Sequence, residues 1–179
     1  MSVRVEGFGL VFDKLDLAAA EEVVRDARRY AAEFDEDEPR RRVERSGEWD
    51  DHMIEMGVTE DGRIVGSVQA RRCEKTMFPG IFEIGMNLFS PDDRGRGLGR
   101  RVTALVSSYL FDEKGARRVQ LTTDLANAPM RAVAERLGFT NEGTLRGFAL
   151  TDEGQRDYAL YAITRDDYLA RRQLWTSTD

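Results

Sequence analysis

Apolar and polar positions alternate along Val3–Phe12, where Val3, Val5, Phe8, Leu10 and Phe12 predict an opening strand, irregular at Gly7 and Gly9. The period then lengthens. Leu17, Ala20, Val24, Ala27, Ala31 and Phe34 recur at helical spacing, predicting a helix from Asp16, a suitable N-cap, to Phe34. Asp35-Glu36-Asp37-Glu38 ends it, and Pro39 suits the first turn of a short helix to about Arg45, broken at Ser46-Gly47. Met53–Thr59 and Arg63–Cys73 read as strands around the hairpin signal Glu60-Asp61-Gly62. In the second strand, Ile64, Gly66, Val68 and Ala70 are expected on one face, with Val65, Ser67, Gln69 and Arg71 on the other. A loop, Glu74–Gly80, precedes a strand at Ile81–Phe89. A helix over about Gly97–Lys114, a strand at Arg117–Thr123 and a helix from Asn127 to Gly138 follow. Two strands, Phe139–Leu150 and Arg156–Thr164, and a short helix, Asp166–Trp175, close the chain.

The stretch Ile81–Arg101 organises this series. Ser90-Pro91-Asp92-Asp93 stops its strand, and Leu98, Val102, Leu105 and Tyr109 start a helix inside a glycine cluster. Strand, turn, glycine-rich loop and helix start converge backbone N–H groups and a positive helix end on one place. That is an anion site, and phosphate is its commonest occupant. A P-loop needs Gly-Lys-Ser/Thr, whereas Gly99 is followed by Arg100-Arg101. A dinucleotide fingerprint needs G-x-G-x-x-G, whereas Gly95, Gly97 and Gly99 fall at every second residue and the sixth position is Arg100. Both are disfavoured.

Arg94-Gly95-Arg96-Gly97-Leu98-Gly99 instead resembles the Gln/Arg-x-x-Gly-x-Gly/Ala signature of the GCN5-related N-acetyltransferase (GNAT) superfamily, which holds the pyrophosphate of acyl-coenzyme A. Asn127-Ala128-Pro129 and Glu135-Arg136-Leu137-Gly138-Phe139 extend the likeness over nearly the whole chain. With Arg156-Asp157-Tyr158, the ribosomal-protein alanine N-acetyltransferase-like branch is the most similar. The resemblance implies an α/β (α+β) domain spanning 1–179, with a mixed, mostly antiparallel sheet of six to seven strands flanked by helices. It implies acetyl transfer from acetyl-CoA directly to a primary amine, on a small molecule or a protein N-terminus.

It also implies roles for particular residues. The central strand of the family splays from the next, so backbone near Asn87, Leu88 and Phe89 would pair with pantetheine and polarise the acyl oxygen. The backbone N–H groups of Arg94, Gly95, Arg96, Gly97, Leu98 and Gly99 would hold the pyrophosphate, with Arg100 adding charge and Asn127 opening the next helix. The four arginines of the loop, Arg101 included, are otherwise solvated charges. An alkyl amine of pKa about 10 is mostly protonated at neutral pH, and Glu83 stands where many relatives keep a base acting through water. The alternative for Glu83 is the solvent side of an alternating strand; Asp157 and Glu142 are weaker candidates. The chain departs from the family at the thiolate donor: Ala134 occupies the tyrosine position and Met130 the serine position. Tyr158, Tyr161 or water would then serve, or the domain binds acyl-CoA without catalysing transfer.

Composition narrows the partners. At 179 residues the chain suits one domain, and no apolar run approaches a membrane span. Its first residues lack the features of a secretion signal, so a soluble, cytoplasmic protein is expected. One cysteine (Cys73) and one histidine (His52) give no internal disulfide and no Cys/His zinc site, so no metal is expected. A net charge of −6 argues against nucleic acid and is compatible with a cationic small molecule or basic peptide. The acidic run Asp35–Glu38 lies where the family walls its acceptor, so cationic acceptors are expected to do best. A homodimer is compatible with these features. Trp49 and Trp175 either line an acceptor cleft or cover the core, where Tyr109 and Phe111 are also expected.

Overall fold

The computed structural model describes residues 2–16, 19, 21, 37–74, 78–151 and 153–175, with the backbone alone for 38, 39 and 42. The strands are β1 (Val5–Gly7), β2 (Leu10–Asp13), β3 (Met53–Glu60), β4 (Arg63–Arg72), β5 (Ile81–Leu88), β6 (Arg118–Asp124), β7 (Thr140–Thr151) and β8 (Gly154–Thr164). The helices among the described residues are α1 (Asp37–Glu44), α2 (Leu98–Glu113), α3 (Ala128–Arg136) and α4 (Arg165–Trp175). The strands form one sheet in the order β1-β2-β3-β4-β5-β6-β8-β7. Every pairing is antiparallel except β5 with β6.

Eight strands replace the six to seven expected because the opening strand is two. Phe8 and Gly9 both take positive φ (53° and 71°), and the chain reverses there into a tight hairpin with Glu6 opposite Val11. The predicted helix from Asp16 to Phe34 lies almost wholly outside the described residues. Asp16 does cap the chain there, its carboxylate accepting from Ala19 N–H at 2.9 Å. Asp35 and Glu36 and the side chain of Glu38 also lie outside, so the acidic run is described only at Asp37, the start of α1.

One face of the sheet carries the main core. Ile54, Met56, Val68, Ala70, Phe82 and Ile84 pack there against Leu98, Val102 and Leu105 of α2, all of them buried. Tyr168 of α4 stacks on Phe111 with centroids 4.6 Å apart, and Tyr109 is also buried. A smaller cluster on the opposite face joins Leu15, Ala19 and Val43 to Ile64 and Phe89. Ile64 therefore does not share a face with Val68 and Ala70. A bulge between Val58 and Thr59 puts Val58 opposite Gly66 but Thr59 opposite Ile64, so Val65 joins the main core and Ile64 turns away from it. Both tryptophans cover the core: Trp49 meets Phe82 edge-on and donates to Tyr109 Oη at 2.9 Å, and Trp175 donates to the Leu137 carbonyl at 3.0 Å.

Candidate active site

The decisive local feature is where β5 and β6 stop pairing. Their parallel register runs through Ile81–Arg118, Phe82–Val119 and Glu83–Gln120 and ends there, although β5 continues to Leu88 and β6 to Asp124. On its other side β5 stays paired with β4 along its length, Gly66 standing opposite Leu88. Gly66 permits this approach, because a Cβ there would overlap the carbonyl oxygen of Asn87. The sheet therefore forks open beside the second half of β5.

Backbone direction alternates along a strand, which decides what faces the fork. Ile81 O accepts from Cys73 N–H and Phe89 N–H donates to Val65 O, both toward β4. Odd-numbered residues of β5 thus bond to β4, and Met86 and Leu88 turn their N–H and C=O groups toward the gap. Of Asn87, Leu88 and Phe89, only Leu88 presents its backbone to the fork. Met86, absent from the sequence prediction, is the second; hydrophobic pattern carries no signal for this, but strand parity would have found it once one cross-strand bond was known. Side chains alternate in the other sense. Met86 points to the core face, where Thr103 Oγ1 lies 3.7 Å from its sulfur, while Glu83, Gly85 and Asn87 share the opposite face.

Glu83 occupies the closed end of the fork. Arg71 donates to its Oε1 at 3.0 Å and Gln120 to its Oε2 at 3.2 Å. Gln120 accepts from Arg118 Nε at 3.1 Å, and both guanidinium ends of Arg118 reach Glu142 at 2.7 and 2.6 Å. This unbroken chain, Arg71–Glu83–Gln120–Arg118–Glu142, joins residues of four strands, β4, β5, β6 and β7, and passes over β8. Glu142 reaches it because it is the extra residue of a bulge between Asn141 and Gly143. The hydrogen bond from Arg118 holds the Glu142 carboxyl below the ordinary carboxylate range, which makes Glu142 a weaker base than an unpaired carboxylate. Asp157 spends a carboxylate oxygen on the N–H of Gly147, 2.7 Å away, closing a second bulge. Burial, and after it the charge of Glu83, pushes the Cys73 thiol up, so it is a packed residue with little thiolate.

Beyond β5, Ser90 caps a 3₁₀ turn over Pro91–Asp93, and Gly95 and Gly97 take φ of 73° and 76°. Gly97 is the N-cap of α2 and brings no side chain, so the first-turn N–H groups of Leu98 and Gly99 face outward without a side-chain acceptor. The loop arginines divide. Arg96 bonds Asp93 at 3.1 Å and Glu60 at 3.2 Å, and Arg101 pairs with Glu60 and donates to Phe8 O. Asp93, buried, also takes both guanidinium ends of Arg63 at 3.0 and 2.5 Å. The bonds from Arg63 and from Arg101 respectively hold Asp93 and Glu60 below the ordinary carboxylate range. Arg96 and Arg101 thus brace the loop from behind, and Arg94 is left exposed on it. Asn127 caps α3, accepting from Met130 N–H at 3.3 Å.

Residues 10–140, well over half of the chain, match the family model described as "Acetyltransferase (GNAT) domain". The chain belongs to the GNAT acetyltransferase family. Acyl-CoA-dependent acetyl transfer is the reaction of that family. A curated relative, the "SPbeta prophage-derived uncharacterized N-acetyltransferase YokL" of Bacillus subtilis, is 28% identical over 127 residues, 68% of this chain and 70% of its own. The solved GNAT-family acetyltransferase of Bacillus anthracis shares the fold at a TM-score of 0.73 and 21% identity, covering 92% of this chain and 99% of its own. Aminoglycoside acetyltransferase AAC(6')-Ib, solved in complex with coenzyme A, superposes at a TM-score of 0.58 and 20% identity over 68% of this chain and 71% of its own. No helix among the described residues is long and apolar enough to cross a membrane. Among the described residues no group of three or more His, Cys, Asp or Glu could hold a metal ion.

Proposed function

We propose that this chain transfers an acetyl group from acetyl-CoA directly to a primary amine, on a small molecule or a protein N-terminus. The observation that carries the reading is the fork, whose Met86 and Leu88 backbone groups offer a missing strand's hydrogen bonds to a pantetheine arm. The fit is good on chemistry: an amide-bearing chain pairs with a strand edge, and a pyrophosphate suits the uncapped start of α2. Gly95, Gly97, Leu98 and Gly99 hold the anion through backbone, with Arg94 and Arg100 adding charge and Arg96 bracing the loop. Asn127 fixes the start of α3 on the far side of the fork.

Bound acetyl-CoA supplies an activated thioester; the chain supplies position and proton transfer. Glu83 takes the proton of the incoming ammonium, either directly or through water, with Arg71 and Gln120 fixing its carboxylate. A fork-facing N–H of β5 polarises the acyl oxygen. A thiol of pKa about 8.5 leaves without a strong acid, which matches the lack of a donor at Ala134 and Met130. Tyr161 is not a substitute: its ring is buried and its hydroxyl already donates to Glu135 at 2.8 Å. That missing donor favours a second reading, an acyl-CoA-binding domain without transfer. Calorimetry with coenzyme A, followed by free-thiol release from acetyl-CoA over a panel of primary amines, separates the two. Binding with amine-dependent thiol release supports transfer; binding with none supports the second reading; no binding removes both.

A further inference from the structure

Glycine inside a strand calls for a reason, because it weakens the strand. The sheet supplies that reason for its other strand glycines near the fork. Gly66 lets β4 and β5 close up, and Gly57 lies against Leu15 and Ile64, within 3.1–3.2 Å of an added Cβ. Gly85 has neither excuse. Its φ is not positive, and a Cβ built on it meets nothing within 4 Å. It is exposed although it lies mid-strand in the fifth strand of an eight-stranded sheet, next to buried Ile84. Nothing in the packing of the described residues forbids a larger residue.

Its surroundings explain the vacancy. Gly85 is two residues beyond Glu83, the point at which β6 leaves β5, and two before Asn87 on the same face. Across β4 it stands opposite Gln69, whose amide donates to the buried carboxylate of Glu55 at 3.3 Å. The other face at this level is filled by Ile84, Met86 and α2. Among the described residues, the Gly85 side, beside Glu83, is therefore the face left open to a group entering the fork. We infer that Gly85 is a specificity-determining position: the space left by its missing side chain is where the acyl carbon meets the acceptor nitrogen. Bulk added there excludes the amine or a longer acyl group without touching the coenzyme loop. The inference rests on the acyl-transfer reading and assigns the meeting point within it.

The test uses bromoacetyl-CoA on the full chain carrying Cys73→Ser and Gly85→Cys. The introduced thiolate displaces bromide at the bromomethyl carbon: a C–S bond forms, the C–Br bond breaks, bromide leaves and the thiol proton passes to buffer. Held side by side, the two groups should react at least about 100-fold faster than with bromoacetamide at equal concentration. Mass spectrometry should place one adduct on the peptide holding position 85, blocked by excess coenzyme A. Its melting temperature should stay near that of Cys73→Ser alone; a collapsed fold would contradict the open space and overturn the inference. If coenzyme A binds normally but the introduced thiol shows no preference for bromoacetyl-CoA, the inference falls and the acyl-transfer reading stands. If wild-type chain does not bind coenzyme A, both fall.

Discussion

Gly97 tests the coenzyme loop with one atom group. It holds φ 76° and ψ 2° at the start of α2, and a Cβ there meets nothing within 4 Å. The stability cost of Gly97→Ala is therefore conformational, about 1–2 kcal/mol for an L-residue in the left-handed region. At about 2–4 °C per kcal/mol for a chain of this size, the variant should melt roughly 2–8 °C lower. Gly97→Asn should lose less, since Asn tolerates this region. Gly99 is an internal control two residues on. Its φ is helical, and an added Cβ reaches only Val133 Cγ2 at 3.7 Å, an ordinary contact. Gly99→Ala should thus gain up to about 1 kcal/mol from helix propensity. Calorimetric titration with coenzyme A supplies the second axis. An alanine that escapes strain by rotating to negative φ turns the Leu98 and Gly99 N–H groups away, and each 1.4 kcal/mol so lost weakens binding about tenfold. Gly97→Ala should bind about tenfold more weakly, Gly97→Asn should fall between it and wild type, and Gly99→Ala should bind within about twofold of wild type. Wild-type affinity both in Gly97→Ala and in Gly97→Val, whose branched side chain tolerates positive φ least, would take the loop out of the binding site.

Three further outcomes are expected. Glu83→Gln should lower amine-dependent turnover about 10²- to 10⁴-fold near neutral pH while coenzyme A affinity holds; steady-state kinetics matching wild type at every pH would return Glu83 to a structural tie between Arg71 and Gln120. Gly66→Ala forces a methyl into the Asn87 carbonyl and should cost about 1–3 kcal/mol or more by urea unfolding, with unchanged stability refuting the close β4–β5 approach. Because Asp93 and Glu60 have folded-state pKa values below their unfolded ones, their contribution is full above about pH 5 and is lost as pH falls through about 4 and below. Asp93→Asn should therefore flatten the acid limb of the melting-temperature profile; an unchanged limb would show that Asp93 does not carry it.

The order of elements and the strand–turn–glycine–helix unit were legible because each is written in local pattern: period two, then Pro91, then Gly95 and Gly97, then period 3.6 from Leu98. Asn127 and Gly138 signalled helix ends by the same local chemistry. Less legible was whatever depends on a partner strand. Phe8 at positive φ split one predicted strand into two, and the bulge at Val58 reversed Ile64 and Val65. The assignment of Met86, not Asn87 or Phe89, to the fork follows from hydrogen-bond parity, which side-chain periodicity does not report. The guanidinium of Arg96 turns back to brace the loop, which sequence does not report, since Glu60, 36 residues away, reaches it only in the fold.

The short β5–β6 register also bears on how the sheet breathes. Two half-sheets, β1–β5 and β6–β8, share backbone bonds over three residue pairs, so the seam between them opens directly into the fork. Along β5 the amides of Gly85 and Asn87 are locked to β4, while those of Met86 and Leu88 have no strand to hold them, so slow and fast hydrogen exchange alternate residue by residue within a central strand. A ligand lying in the gap behaves as a removable ninth strand. It evens out that exchange pattern and ties the half-sheets together, so occupancy of the site and resistance of the whole domain to unfolding rise together.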